Sequence, residues 1–330
     1  MVEKDPIGSE TAQDPLISVV ICTYNRCDLL RRAVQSVCQQ VVDPAVYELI
    51  VVDNNSTDGT GLVVQSFCKK CSNVHYIKAP VQGLSHARNC GWRNARGKYV
   101  LYLDDDATAP ARWLMTAVEV IMKIHPAIFG GPYLAEYDAR KPKPQWFRDA
   151  YGSNTLGHRA RAVDNAEYLT GGNIAFKRAI LEDLGGFNSG LGMCGKRMAY
   201  AEETALIAQV RATMPSELIY YDPDFYIHHL VKQRSMTLRH NIRERFVSGR
   251  YYYLAVHSKD PIRRPLWRML LSFFMFAKHS VFSLTRDKKV YRYTRNYIYE
   301  RALPELGQAG FFYEQFKASL RNSRRLSRVD

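Results

Sequence analysis

No stretch of this 330-residue chain is apolar for long enough to cross a bilayer. The nearest approach, Met269-Leu270-Leu271-Ser272-Phe273-Phe274-Met275-Phe276-Ala277, is bracketed by Arg268 and Lys278. The seven cysteines are odd in number and lack the spacing of a disulfide framework, so free thiols in a reducing compartment are expected. Cys68-Lys69-Lys70-Cys71 has His75 nearby but no second cysteine pair to complete a zinc site; it reads as two thiols at a helix end. No Gly-x-Gly-x-x-Gly follows the first apolar run, which excludes a dinucleotide oxidoreductase. The loop there, Thr23-Tyr24-Asn25-Arg26, lacks the glycines a nucleotidyltransferase would need. There is no internal repeat and no low-complexity block. Residues 1–15 are polar, without the apolar core of a signal peptide, and are expected to be mobile.

Positive charge is plentiful but unevenly spread. The formal net charge is +14. Residues 231–330 hold 22 Lys and Arg against 7 Asp and Glu, while residues 1–230 hold 24 against 25. A nearly neutral body is followed by a basic tail, of the kind that meets anionic lipid, nucleic acid or an acidic polymer.

Apolar patterning gives the layout. Ile17-Ser18-Val19-Val20-Ile21-Cys22 reads as a buried strand, followed by helical spacing through Leu29, Leu30, Ala33, Val34 and Val37. Glu48 to Val52 is a second strand, ending at Asp53 and followed by the polar turn 54–60 and a helix. Val74 to Ile77 is a third strand, 83–95 a helix with Ser85 as its cap, and Lys98 to Leu103 a fourth strand. Strands alternating with helices predict an α/β fold, a mostly parallel sheet covered on both faces. Beyond residue 130 the pattern loosens. Ile174-Ala175-Phe176 reads as a short strand, Glu202-Glu203 opens a helix, and helices rich in Arg, Tyr and Phe follow from Thr237.

The most informative feature is Asp104-Asp105-Asp106, directly after the fourth strand. Three adjacent carboxylates repel one another and are costly to cluster unless they share a cation. The C-terminal edge of a parallel sheet is where α/β proteins bind ligands. A divalent metal held by oxygen ligands and facing an anionic substrate fits this pattern. The plain alternative is an acidic turn capping the next helix.

Taken in order, Thr-Tyr-Asn-Arg, Val-Val-Asp-Asn-Asn-Ser-Thr-Asp-Gly-Thr, Gly-Leu-Ser-His-Ala-Arg-Asn, Leu-Asp-Asp-Asp, Gly-Gly-Asn, Gly-Gly-Phe and Ala-Glu-Glu-Thr-Ala-Leu form a series. It resembles the family 2 glycosyltransferases of the GT-A fold, across residues 17–249. The resemblance implies a Rossmann-like sheet with helices on both faces plus a C-terminal helical region. It also implies inverting, metal-dependent transfer from a nucleotide-sugar, UDP-sugars being favoured. Asp53 would receive the N–H of the base through a charge-assisted hydrogen bond, or else cap the turn after it. Thr23, Tyr24 and Arg26 would pack the base and phosphates, and Arg88 would neutralise phosphate or make an ion pair on the helix surface. Asp104 or Asp105 would hold the ribose. Asp106, with Asp104, would hold Mn2+ or Mg2+. Gly171, Gly172 and Asn173 would line the donor sugar. Glu203 stands at the position of the catalytic base, but the family's Glu-Asp is Glu-Glu here, so Glu202 is also a candidate. In His228-His229, followed by Arg234, His228 would complete the metal shell or touch the pyrophosphate; as a metal ligand it suits Mn2+ better than Mg2+.

The implied organisation is a mobile segment at 1–15, a nucleotide-sugar-binding half at 16–130, an acceptor-binding and catalytic half at 131–235, and a basic aromatic-rich helical region at 236–330. The acceptor would be a hydroxyl of a glycan or lipid-linked sugar. The protein would be cytoplasmic and peripheral on an anionic membrane, with no nucleic-acid partner. The run 269–277 would lie either in the membrane interface or in the core. Two rivals stand beside this reading. Asp104-x-Asp106-x-Thr108 also fits a haloacid-dehalogenase-type phosphatase, with Asp104 as nucleophile and Asp106 as general acid. A non-enzymatic basic binding protein would explain the tail but not the acidic triplet.

Overall fold

The computed structural model describes residues 14–195, 197–256 and 264–326, with side chains to residue 321. The segment expected to be mobile lies outside these, except for its last two residues.

Eleven strands and eleven α-helices are present among the described residues, with four short 3-10 or π segments between them. The strands are β1 (Ile17–Thr23), β2 (Tyr47–Asp53), β3 (Val74–Lys78), β4 (Tyr99–Leu103), β5 (Ala107–Thr108), β6 (Ile128–Gly130), β7 (Tyr133–Glu136), β8 (Arg161–Ala162), β9 (Asn173–Lys177), β10 (Ile219–Tyr221) and β11 (Ile227–Leu230). The helices are α1 (Cys27–Cys38), α2 (Thr60–Cys68), α3 (Leu84–Arg93), α4 (Trp113–Ile124), α5 (Asp149–Gly152), α6 (Arg178–Leu184), α7 (Glu202–Thr213), α8 (Leu238–Val256), α9 (Pro265–Phe282), α10 (Thr294–Tyr297) and α11 (Leu303–Leu326).

The main sheet has the order β3-β2-β1-β4-β9-β6-β10-β8. Its first four strands are parallel, as the alternation predicts. β9 then runs antiparallel to both β4 and β6, so the sheet is mixed in its second half. Strands β1 and β4 are buried nearly along their length, and are mostly apolar, because both faces are covered. Val19, Leu49, Val51 and Leu101 pack with α1 and α4 on one face. Val20, Ile50, Val52 and Tyr102 pack with α3, α6 and α7 on the other. Successive side chains of one strand thus feed two separate cores.

A second sheet, β5-β11-β7, lies beyond the end of β4. Its pairing sets His229 opposite Ala107 and His228 opposite Thr108. This small sheet folds the chain back over the acidic triplet. Helix α3 starts one residue after Gly83 rather than from a Ser85 cap; the Ser85 hydroxyl donates to the Leu191 carbonyl, tying α3 to a loop.

The C-terminal helices form a layer in which α8 packs on both α7 and α11. The α8–α11 crossing is close because glycines meet there. A Cβ at Gly249 would lie 1.8 Å from the Gly307 carbonyl oxygen, and one at Gly310 would lie 2.0 Å from that of Phe246. Arg250 and Glu314 pair across the same crossing. All seven cysteines are free. Among the described residues no helix is long and apolar enough to cross a membrane.

Gly249→Ala must push α8 and α11 apart and is expected to cost about 1–3 kcal/mol or more, in the range of overpacked cores. Gly59→Ala, whose Cβ meets nothing nearer than 3.9 Å, is the matched control. Thermal melts of the two variants check this, and equal melting temperatures would contradict the tight crossing.

Candidate active site

β4 ends at Leu103 and delivers the three aspartates to the sheet edge in different surroundings. Asp105 is buried and faces β1. It accepts from the Thr23 hydroxyl at 2.8 Å and the Arg26 guanidinium at 2.7 Å. Burial pushes its carboxyl up to about 6, with the Asp106 charge adding to the rise and Arg26 opposing it. Asp106 is equally buried but ringed by cations. The His229 Nε2 stands 3.2 Å from Oδ1, the Lys232 ammonium meets Oδ2, and Arg26 lies 3.4 Å away. Burial alone would raise Asp106; His229 and Lys232 reverse this and hold it well below the usual carboxylate range. His229 is raised in turn: burial opposes its charge, but Asp106 outweighs burial. Asp104 is the most open of the three and faces Tyr133 and Arg88.

Ligand atoms of Asp104, Asp106 and His229 all lie within 4.8 Å of one another. Two carboxylate oxygens and one imidazole nitrogen are a donor set suited to Mn2+. The histidine expected in this cluster was His228. On β11 the two neighbours face opposite ways, and His229 is the one turned to the carboxylates. His228 packs edge-on against Tyr226 instead. The phase of β11 comes from its pairing with β5, and the Leu230 N–H donating to the Asp106 carbonyl locks it.

The carboxylates of α7 are separated in role by one buried cation. Arg88 on α3 donates to Glu202 at 2.8 Å and to the Gly171 carbonyl at 2.9 Å. Its guanidinium also lies 5.5 Å from the ring centres of Tyr102 and Phe187. Arg88 is therefore a buried tie and not an ion pair on the helix surface. Glu202 is consumed by it. Glu203 stays 3.9 Å from Arg88, with its side chain 19% exposed. Burial lifts Glu203 up to about 8, the neighbouring Glu202 adds to this, and Arg88 opposes it.

The Gly171-Gly172 loop joins the two halves of the site. A Cβ at Gly172 would fall 2.1 Å from an Asp104 carboxylate oxygen, and one at Gly171 would lie 3.1 Å from the Glu203 carboxyl carbon. The glycines thus make room for the protein's own carboxylates and, at Gly171, for the Arg88 guanidinium. Asn173 does not line the site. It is fully buried, accepts from the Trp113 indole at 2.9 Å and donates to the Phe225 carbonyl at 2.6 Å. Asp53 is also buried: one oxygen accepts from the Ser56 N–H at 2.8 Å, capping the turn, and the other from the Tyr76 hydroxyl at 2.7 Å. A base reaching Asp53 must share these oxygens.

A cleft of about 1140 Å3 opens beside this centre. Thr23, Tyr24, Asn25, Arg26, the triplet and Lys232 line it together, and Arg234 and the first turns of α8 add a further stretch of wall. Sequence reasoning passed over Lys232 and Tyr133. Tyr133 stacks on His229 with ring centres 5.1 Å apart, and its hydroxyl lies between Asp104 and the Gly172 N–H. Lys232 carries a local signal, three residues beyond His229. Tyr133 carries none, since its place depends on β7 pairing with β11.

Comparison with known proteins agrees with this geometry. The model of the family described as glycosyl transferase family 2 matches residues 18–185, just over half of the chain. A glucosyl-dolichyl phosphate glucuronosyltransferase of Haloferax volcanii is 27% identical over 224 residues, 66% of this chain and 71% of that protein. The succinoglycan biosynthesis protein ExoM of Rhizobium meliloti is 25% identical over 258 residues, 78% and 80% of the two chains. Among solved structures, the mannosyltransferase PcManGT of Pyrobaculum calidifontis in complex with GDP-Man and Mn2+ superposes with a TM-score of 0.54 at 19% identity, covering 96% of this chain and 81% of that one. S. aureus TarS 1-349 in complex with UDP-GlcNAc gives 0.53 at 17%, covering 91% and 92%. These two likenesses show the fold. The phosphatase and the non-enzymatic readings of the basic tail are set aside by the family match.

Removing the buried cation should be severe. Arg88→Met leaves Glu202 without its partner in a dry site and is expected to cost about 3–5 kcal/mol. Arg88→Lys keeps the charge without the two-pronged fork and should fall between. Urea denaturation ranks the three proteins, and a wild-type midpoint for Arg88→Met would refute the tie.

Proposed function

The chain belongs to glycosyl transferase family 2, and on that premise we propose that it is an inverting, metal-dependent enzyme using a nucleoside-diphosphate sugar, with UDP-sugars favoured. The observation that carries this reading is the meeting of the Asp104–Asp106–His229 cluster with Glu203 around the Gly171-Gly172 loop. Residues 16–130 are assigned to the donor, 131–235 to the acceptor and catalysis, and 236–330 to a basic C-terminal region. Free thiols fit a cytoplasmic setting.

Asp104, Asp106 and His229 would hold Mn2+, with Mg2+ less suited to the imidazole. The metal, when bound, would act as a Lewis acid on the departing diphosphate. Thr23 and Arg26 fix Asp105 on the donor wall, and Tyr24 is free to pack on the base. Arg26 and Lys232 hold positive charge beside the triplet, where they can turn from carboxylate to phosphate. Glu203 is the general base. It takes the proton of the acceptor hydroxyl as that oxygen attacks the anomeric carbon from the side opposite the leaving group. Arg88, by binding Glu202, keeps a cation beside Glu203 and steadies its deprotonated form. With Glu202 held by Arg88 and with Asp104 and Asp106 assigned to the metal, Glu203 is left to act as the single base of an inverting reaction. The wall of the cleft formed by α8 and the residues before it carries Arg234, Arg239 and Arg243, which make no ion pair among the described residues. That wall favours an acceptor bearing negative charge, such as a sugar on a lipid phosphate. The glucosyl-dolichyl phosphate in the name of the Haloferax volcanii relative, a sugar on a lipid phosphate, agrees with this choice.

Metal dependence separates the two histidines. His229→Ala and Asp106→Ala should weaken Mn2+-dependent UDP binding by about ten-fold or more, a loss typical even for outer partners of a metal site. His228→Ala should not. Calorimetry with and without EDTA reads this; equal UDP affinity in EDTA would sink the metal reading.

For the base, Glu203→Gln should lower kcat by about 100- to 10,000-fold and leave UDP affinity nearly unchanged. Glu202→Gln should act mainly on stability, through Arg88. The raised Glu203 carboxyl adds a pH test. A base works deprotonated, so kcat/KM should fall as pH drops below about 8. A flat profile down to the ordinary carboxylate range would remove Glu203 from the role.

A further inference from the structure

Helix α9 has its apolar side outward. It packs on α11, yet Ser272 is its one buried residue. Trp267, Leu270, Leu271, Phe274, Val281 and Phe282 are all exposed, with Trp267 at 63%, Phe274 at 62% and Val281 at 67%. From Trp267 these positions follow at 3, 4, 7, 14 and 15 residues, which is one stripe of helix surface. At 1.5 Å per residue the stripe is about 22 Å long. The same stripe contains Lys278, whose ammonium lies 5.9 Å from the Phe282 ring centre. A Trp, Leu and Phe stripe left open on a soluble fold marks a contact with a partner or a membrane.

Charge decides which. From Arg264 to Tyr299 the chain carries eight Lys and Arg and a single acidic residue, Asp287. None of the eight is in an ion pair among the described residues. A second copy seated symmetrically on this face would set that excess of positive charge against itself, since a two-fold contact pairs a patch with its own image. Nucleic acid would use the basic groups but leave the stripe in water. An anionic bilayer accepts both: apolar side chains enter the interface, and Lys and Arg reach the head groups. Arginine and lysine stems extend past the apolar surface, as they do at membrane interfaces.

We propose that α9 and the basic segment after it are the surface by which this enzyme lies on an anionic membrane. The inference is independent of the assignment of donor, metal and base. It gives the charged wall of the cleft a setting in which a lipid-borne acceptor arrives from one side.

Flotation of the full-length protein tests it, with phosphatidylcholine–phosphatidylglycerol vesicles against phosphatidylcholine alone. The protein should float with the anionic vesicles at low salt, and high salt should weaken the association as charge is screened. The double variant Trp267→Glu/Phe274→Glu should reduce vesicle partition by about ten-fold or more, the loss of an interfacial anchor. Lys288→Glu/Lys289→Glu should reduce it and flatten the salt dependence. UDP binding, measured alongside, should be unchanged in both. Its failure would speak against the catalytic reading and leave the flotation result standing. The proposal is overturned if the parent stays unbound at low salt or if the Trp267/Phe274 variant floats as well. It is also overturned if sedimentation shows a vesicle-free dimer that this variant dissociates.

Discussion

The buried guanidinium of Arg88 is the contact on which the catalytic geometry depends. It joins α3, the Gly171-Gly172 loop and the first turn of α7, three segments far apart in sequence. A buried ion of this kind is costly unless its hydrogen bonds are met. Here Glu202 and the Gly171 carbonyl accept from it, and two aromatic rings lie beside the charge. Because Glu202 answers the charge, Glu203 beside it is left with a raised carboxyl and a side chain that is still partly exposed. Adjacent identical residues thereby acquire different chemistry from one neighbour.

The triplet obeys the same logic. Three carboxylates on consecutive residues receive three environments: a hydroxyl and an arginine for Asp105, a ring of cations for Asp106, and an open position beside Tyr133 for Asp104. The small sheet supplies much of this difference, because β11 returns His229, and Lys232 after it, to the end of β4. The main sheet presents the acids; the second sheet answers them.

The parallel half of the fold was legible because its strands are buried on both faces and read as apolar runs, as in β1 and β4. The triplet was legible because repulsion among adjacent aspartates has few physical remedies. Other roles were not legible in one dimension. Asn173, Asp53 and Arg88 are polar residues in a series that resembles a donor site, and only burial shows them satisfied by the protein itself. His228 and His229 differ by the phase of a strand, and that phase is set by pairing with residues more than a hundred positions earlier. The run 269–277 has the composition of a core helix, and only the packing of α9 shows which side of it faces out.

The glycine crossing of α8 and α11 bears on the order in which the molecule is made. Chains leave the ribosome N-terminus first, and domains fold as they emerge. The sheet, the triplet, Arg88 and α7 can assemble as soon as the first two thirds of the chain is out. Helix α8 then has α7 to pack on, but the surface that receives Gly249 and Phe246 lies on α11, the last of the described helices to be synthesised. The wall that carries Arg239 and Arg243 is thus the final part of the cleft to be built. A nascent chain halted before α11 would own its carboxylates and its base while lacking a finished place for the molecule they act upon.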